Sequence, residues 1–332
     1  MLARRPSKLL PFTYLAGFIH MAVMERKQAT LVGLVAVVLW SSIVGLIRSV
    51  SESFGATGGA ALMYSLAAVL LWLCVGPVRL GALPRAYRIW GSLLFVSYEL
   101  CLALSIGYAN SGRQAIEVGM VNYLWPSFTM LAAILFNRQR ANWLIVPGFV
   151  VAILGVTSVL GGEQGLDLAS LSANLQDNPL SYGLAFAGAM IWAAYCTVTA
   201  RIAEGKNGVT LFFMLTALAL WAKYLIAGGA PMAFSLDGAI HLALAACAMG
   251  FGYAAWNVGI LHGNVTVLAG ASYFIPVLSA ALAAALLDAP LSLAFWKGAA
   301  MVVAGSILCW LATRGKGLRP ASASARARPQ RQ

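Results

Sequence analysis

Charged side chains are scarce in this sequence. They make up 10% of its 332 residues, against roughly 25% in soluble globular domains, so an ordinary soluble fold is excluded. Inside the long apolar runs the shortage is nearly complete: no Lys or Arg falls at mid-depth, and Lys223 sits close enough to a segment end to snorkel outward. A carrier of phosphates, nucleotide sugars or dicarboxylates needs cations in its cavity, and those cargoes are excluded with them. Histidine is rare too, with His20, His241 and His262 scattered near segment ends. No H-E-x-x-H pair, acidic metal box or G-x-x-x-x-G-K-[ST] loop is present, which removes the machinery for an intramembrane hydrolase, a metal centre or an ATP-driven pump. Cys74, Cys101, Cys196, Cys247 and Cys309 all lie within apolar spans, with no CxxC and no partner in an outer loop. A disulfide framework and a zinc site are excluded, and the thiols read as small core residues. No cofactor is expected.

Hydrophobic length is what the chain has. Hydrophobic residues make up 61%, with mean hydropathy +0.83, and runs of about 20 apolar residues match the bilayer core. Ten helices are expected: 28–48, 58–76, 88–110, 114–136 and 142–161, then 179–201, 208–228, 240–262, 265–287 and 292–313. The fold class is therefore an all-α polytopic membrane protein. Placing both termini in the cytoplasm puts 18 of the 22 Lys and Arg inside, leaving only Arg48, Arg113, Lys223 and Lys297 outside, the bias that sets orientation in membranes. The net charge of +12 thus records topology and implies no nucleic-acid partner. Met1 to Val23 resembles a weak signal or interfacial segment without an A-x-A site, and Met24 reads as a natural start. Residues 1–27 are expected to be a cytoplasmic N-terminal extension and 314–332 a basic, disordered cytoplasmic tail. Retaining the last helix's orientation is the tail's plain role; contact with lipid headgroups is a second.

One module has been used twice. Tyr123-Leu124-Trp125-Pro126 recurs as Tyr273-Phe274-Ile275-Pro276, Gly148 and Gly155 as Gly298 and Gly305, Trp72 as Trp221, and Trp40 approximately as Trp192. Five helices per copy is an odd number, so the second copy enters the membrane from the opposite side, a construction typical of secondary transporters. The domains are then a first module at 28–161, an outer connector at 162–178 and a second module at 179–313.

Lipid offers no hydrogen bonds, so polar groups at membrane depth face a protein interior or a cavity. Glu99 is the one acidic residue placed deep inside, eleven residues from each end of its helix. It reads either as a site for a proton or a substrate ammonium, or as a carboxyl that glues two helices together. Tyr98 neighbours it. Asn122, Trp125 and Thr129 share a face of the fourth helix beside Tyr123; Gly188, Trp192, Tyr195 and Thr199 form a stripe on the sixth, and Tyr253, Trp256 and Asn257 on the eighth. Any one stripe also fits plain core packing; three near mid-depth point to a shared cavity. Pro126 and Pro276 each remove a backbone hydrogen bond mid-helix, which fits either paired hinges or static bends.

These motifs resemble the drug/metabolite transporter superfamily, in its ten-helix class built from two EamA-type modules. The resemblance rests on Gly33 with Leu39-Trp40-Ser41-Ser42, Asn122-Tyr123-Leu124-Trp125-Pro126, and Gly148 with Gly155. The second module supplies Ile191-Trp192-Ala193, Tyr273-Phe274-Ile275-Pro276, and Gly298 with Gly305. Within that class, residues 24–314 look like an aromatic amino acid exporter. The resemblance implies two inverted five-helix repeats around a central cavity and export of aromatic and other neutral amino acids from the bacterial cytoplasm across the inner membrane. It implies no enzymatic activity. The small four-helix members carry a coupling Glu in their first helix, whereas Leu34 to Ile47 holds no acid here; only Glu99 could replace it.

The expectation is a monomeric carrier in a lipid bilayer that moves amino acids by alternating access. Tyr98, Tyr123, Trp125, Trp192, Tyr195, Tyr253 and Trp256 would line the cavity, while Glu99, Asn122 and Asn257 receive the amino and carboxyl groups. The alternatives are a multidrug or lipophilic-cation exporter using Glu99 and, from a different class, a non-transporting membrane enzyme or assembly subunit.

Overall fold

The computed structural model describes residues 25–313. The expected N-terminal extension before residue 25 and the expected basic tail from 314, with His20, lie outside the described residues. Among the described residues there is no strand, and the fold is all-helical. Seven helices are long and apolar enough to cross a membrane, and a bent pair makes an eighth, as a multi-pass membrane protein requires.

The first expected helix is two. α1 (Arg26–Ser41) and α2 (Ile43–Phe54) meet at an angle of 43°. At the junction Ser41 Oγ donates to the Val37 carbonyl at 2.7 Å and Ser42 Oγ to the Leu39 carbonyl at 2.7 Å. Hydroxyls that bond back to their own helix compete with its ladder and bend it, so tandem serines, rather than a proline, mark this bend. α3 (Ala56–Val75) follows, then α4 (Ser92–Gly107), which a π-helical turn at Tyr87–Gly91 extends backward into one span, Tyr87–Gly107.

The fourth and ninth expected helices are each broken at the repeated motif. α5 (Gly112–Asn122) gives way to α6 (Trp125–Asn137), and α12 (Val265–Ser272) to α13 (Ile275–Leu286), with Pro126 and Pro276 second in the later helix. A proline ring clashes with the carbonyl four residues back, so each break falls just upstream of the proline itself. α7 (Ile145–Leu160), α9 (Pro179–Ile202), α10 (Val209–Ile226), α11 (Leu236–His262) and α14 (Leu293–Thr313) lie close to their expected bounds. The connector holds a helix that the sequence reading left out, α8 (Leu168–Asp177). The Asp167 carboxylate caps it by accepting from the Ala169 and Ser170 amides at 3.1 Å, and the Ser170 hydroxyl, which also donates to it, together with those amides holds this carboxyl below its usual range.

α7 packs along α14, α1 on α11, α3 on α10, and α4 on α9. Small residues set these distances, because apolar surface alone gives helices in lipid little reason to associate. On α14 a Cβ at Gly305 would lie 2.4 Å from the Ala152 amide nitrogen and 2.6 Å from the Gly148 carbonyl oxygen. Gly155 and Gly298 abut in the same way, each Cβ falling 2.7 Å from the other's carbonyl oxygen. These four are the glycines that recur at the same spacing in the sequence. A Gly305→Ala substitution is expected to force the pair apart at a cost of about 1–3 kcal/mol, read as a lower thermal unfolding temperature in detergent. Gly183→Ala on α9, where nothing lies within 4 Å, should leave that temperature unchanged; equal values for both variants would contradict the seam.

Candidate functional site

A cavity of about 240 Å³ lies between the helix breaks, just below the range of roughly 300–1,000 Å³ usual for small-molecule sites. Each wall comes from a position where the helical pattern is interrupted or carries aromatics at helical spacing. The bend between α1 and α2 brings Trp40, Ile43 and Val44; the breaks at the repeated motifs bring Asn122, Tyr123, Trp125, Ser272 and Ile275. α4 supplies Tyr98, Glu99 and Leu102, α9 Trp192 and Cys196, and α11 Met249, Tyr253 and Trp256.

Glu99 is the sole acid of the lining and is 0% exposed. Tyr64 of α3 donates its hydroxyl to Glu99 Oε2 at 2.6 Å, and Tyr253 of α11 donates to Oε1 at 2.7 Å. Distances this short are typical of O–H···O⁻ bonds. Two phenols disperse charge but supply none of opposite sign, and the three ion pairs among the described residues, Arg48–Glu52, Arg113–Glu117 and His241–Asp237, leave Glu99 out. A buried carboxylate in that position is costly unless a cation or a proton joins it.

Aromatic rings surround this carboxyl on both sides. Tyr98 lies 4.4 Å from Trp192 between centroids, and Trp192 stacks on Tyr195 at 4.9 Å. Opposite them Trp40 meets Tyr253 edge-on at 5.0 Å and Trp256 at 5.1 Å. Phe95, one turn before Glu99, touches Trp192, Tyr195 and Tyr253 at 5.5–6.1 Å and ties the halves together. Such a lining stacks on flat apolar groups and attracts an ammonium through its ring faces, each contact worth about 0.5–2 kcal/mol. The polar complement is sparse. Asn122 Oδ1 and Trp40 Nε1 are buried without a hydrogen-bond partner, and Trp40 Nε1 lies over Gly252, where a Cβ would come within 2.7 Å.

Eight of the ten expected substrate residues line this cavity: Tyr98, Glu99, Asn122, Tyr123, Trp125, Trp192, Tyr253 and Trp256. Two do not. Tyr195 supports Trp192 from behind, and Asn257, one residue past Trp256, falls outside the lining. The expected hinge residues Pro126 and Pro276 are buried at the breaks without reaching the cavity. Sequence reasoning missed Trp40 as a lining residue, although its repeat partner Trp192 was selected and the offset already paired them. It also missed Tyr64, for which no local signal exists: the residue sits in a uniformly apolar helix, and only the packing of α3 against α4 and α11 brings it to Glu99.

No protein-family model matches the sequence. The chain is 60% identical over 291 residues to the aromatic amino acid exporter YddG of Escherichia coli (strain K12), covering 88% of this chain and 99% of that protein. It is equally similar, 60% over 291 residues, to the protein of the same name from Salmonella typhimurium. The aromatic amino acid exporter YddG of Ancylobacter novellus matches at 26% identity over 299 residues, 88% of this chain and 100% of that protein. A solved crystal structure superposes with a TM-score of 0.62 at 23% identity, over 86% of this chain and 99% of the other, which supports the fold alone. With 60% identity across nearly the full length of two such relatives, the chain belongs to the YddG family of aromatic amino acid exporters.

Proposed function

We propose that this chain exports aromatic and other neutral amino acids across the bacterial inner membrane by alternating access. The observation that carries this reading is the lone, doubly hydrogen-bonded Glu99 in an aromatic cavity without a cation. A zwitterion with a flat side chain complements it. Its ammonium meets Glu99 and the unpartnered Asn122 Oδ1, and its side chain lies among Trp40, Trp125, Trp192, Tyr98 and Trp256. The family's curated members are exporters rather than enzymes, in agreement with transport. An export of lipophilic cations would use the same carboxyl and the same rings, so competition between dyes and amino acids separates the two readings.

In this reading ten spans form two inverted modules, 28–161 and 179–313, joined by an outer connector at 162–178, with both termini cytoplasmic and one chain sufficient. The helix neighbours support it. Exchanging each span for its repeat counterpart turns the α1–α11 contact into the α9–α4 contact, and returns α3–α10 and α7–α14 to themselves. The breaks at Ser42, at Tyr123–Leu124 and at Tyr273–Phe274 lie at cavity level, where the halves of a span can swing separately.

The two ends of the bundle differ, as a carrier halted in one state should. Every residue of α5 from Gln114 to Asn122 is buried, whereas in its counterpart α12 only Leu268 is buried among the described side chains. At the α5 end, α13 closes on α2 and α5: a Cβ on Gly45 or Gly112 would lie 3.0 Å from Leu286 or Leu287. Hydrogen bonds lock the same end, from Tyr182 to Glu117 at 2.9 Å and from Asn178 to Gln114 at 2.9 Å. These support a state sealed outside and looser toward the cytoplasm.

Counterflow of labelled tryptophan into liposomes holding only this protein tests the reading. Glu99→Gln is expected to lower flux about 10–100-fold, the loss of a hydrogen bond to a charged group, while Asn257→Ala stays at the wild-type rate; reversed results would remove Glu99 from the site. Trp125→Ala and Trp192→Ala should raise the half-saturating concentration for tryptophan about tenfold and for alanine far less. A lipophilic dye that outcompetes all amino acids would favour the multidrug alternative. For the hinges, Pro126→Ala with Pro276→Ala restores two backbone bonds and is expected to slow counterflow without weakening equilibrium tryptophan binding; unchanged counterflow would make the breaks static bends.

A further inference from the structure

Apart from the central cavity, an apolar groove of about 850 Å³ runs along the outside of α6 and α9 and the start of the Tyr87–Gly107 span. Trp90, Phe128, Leu131, Leu135 and Met190 are among its walls, and Arg201 stands at its end. Trp90, Leu135, Phe136 and Met190 are more than half exposed, so no other part of the described chain covers it. The polar groups in the walls are largely turned to the protein. Thr197 donates to the Ala193 carbonyl at 2.7 Å and the Asn137 amide to the Thr197 carbonyl at 3.2 Å.

Arg201 is different. Its guanidinium donates to the Phe136 carbonyl, and it makes no ion pair among the described residues. The other module handles the corresponding cation internally. The offset that relates Trp40 to Trp192 carries Arg48 to within one residue of Arg201, and Glu52 onto Glu204. Arg48 pairs with Glu52 at 2.7 Å inside a continuing helix. α9 instead ends at Ile202, and Glu204 lies in a turn at φ 49° with no such bond to Arg201. Arg138 and Arg140 follow α6 at the same end, and Arg88, beside Trp90, keeps a buried Nε without a partner. An uncovered apolar channel thus ends at Arg201, whose guanidinium has no ion pair among the described residues. It faces the bilayer.

We propose that this groove binds an anionic glycerophospholipid, with one acyl chain along α6 and α9 and the phosphodiester on Arg201. A guanidinium grips phosphate oxygens in a fork that ammonium cannot reproduce, and acyl chains are the apolar matter available at that surface. The site rests on the chain's place in the membrane, not on which solute it carries.

Native mass spectrometry of the full chain in detergent, titrated with phosphatidylglycerol and phosphatidylcholine of identical acyl chains, tests this. Wild type should retain phosphatidylglycerol about fivefold better, the effect of roughly one well-placed basic residue at an anionic surface. Arg201→Gln should erase that preference, and Ala194→Phe, which fills the groove, should lower retention of both lipids. Lipid-free thermal unfolding at the wild-type temperature marks the variants as folded, and Arg201→Lys, with an intermediate preference, serves if Arg201→Gln does not fold. Equal retention of the two lipids by wild type would overturn the site, as would a preference that survives both Arg201→Gln and Ala194→Phe. Equally tight binding of glycerol phosphate alone would also overturn it, since the acyl groove would then have no part.

Discussion

A carboxyl group buried among apolar helices has nowhere to put its charge, and the helices around Glu99 are arranged as an answer to that problem. Lipid offers no hydrogen-bond donors, so donors must come from neighbouring helices, and two do: Tyr64 from α3 and Tyr253 from α11. That requirement draws α3, α4 and α11 to one point. The phenols carry aromatic faces with them, and Phe95, Phe213 and Trp40 pack edge-on or tilted against those rings. Charge solvation and aromatic lining are therefore one construction. A site so built lowers the cost of the buried carboxylate without cancelling it, which leaves room for a cation or a proton to do the rest.

The same want of hydrogen-bond partners in lipid governs the backbone. Helices in lipid must satisfy their own amides, and breaks survive only where protein covers them. Each interrupted segment meets that condition at the cavity, with serine hydroxyls taking carbonyls at the first break and prolines, which need no donor partner, following the other two. Away from the cavity the interfaces are tight instead, as in the glycine seam of α7 and α14. Tight seams thus lie outside and broken helices inside, and in the alternating access proposed above the breaks would be where the bundle moves.

Much of this was legible in the sequence because it depends on short-range chemistry. Apolar length located the seven helices and one bent pair long enough to cross a membrane, though not ten spans of full length, and the repeated Tyr-x-x-Pro motif located two of the three breaks. Aromatic residues at helical spacing located six cavity residues, and polar groups inside apolar runs located Glu99 and Asn122. The misses share one cause. Tyr195 and Asn257 lie on the right stripes, but helical spacing specifies a face only to within a residue or so, and packing chose Trp192 and Trp256 for the lining. Tyr64 looks like core filler until α3 is placed beside α4. The tandem serines after Trp40 were legible as a bend, since their hydroxyls compete for backbone carbonyls whatever the tertiary context, yet hydropathy alone passes over them.

By itself the sequence determined that the chain spans a membrane as helices, that it carries one motif twice, and that Glu99 falls in the middle of an apolar run. Those follow from composition and from residues near one another in the chain, where physics needs no third partner. Only the tertiary structure decided which tyrosines reach Glu99, which tryptophans face the cavity, and that α5 is enclosed while α12 is not. Each of these is a relation between segments far apart in sequence. In a bilayer, where every helix surface is similarly apolar, such relations are settled by small residues and a few hydrogen bonds that hydropathy does not register.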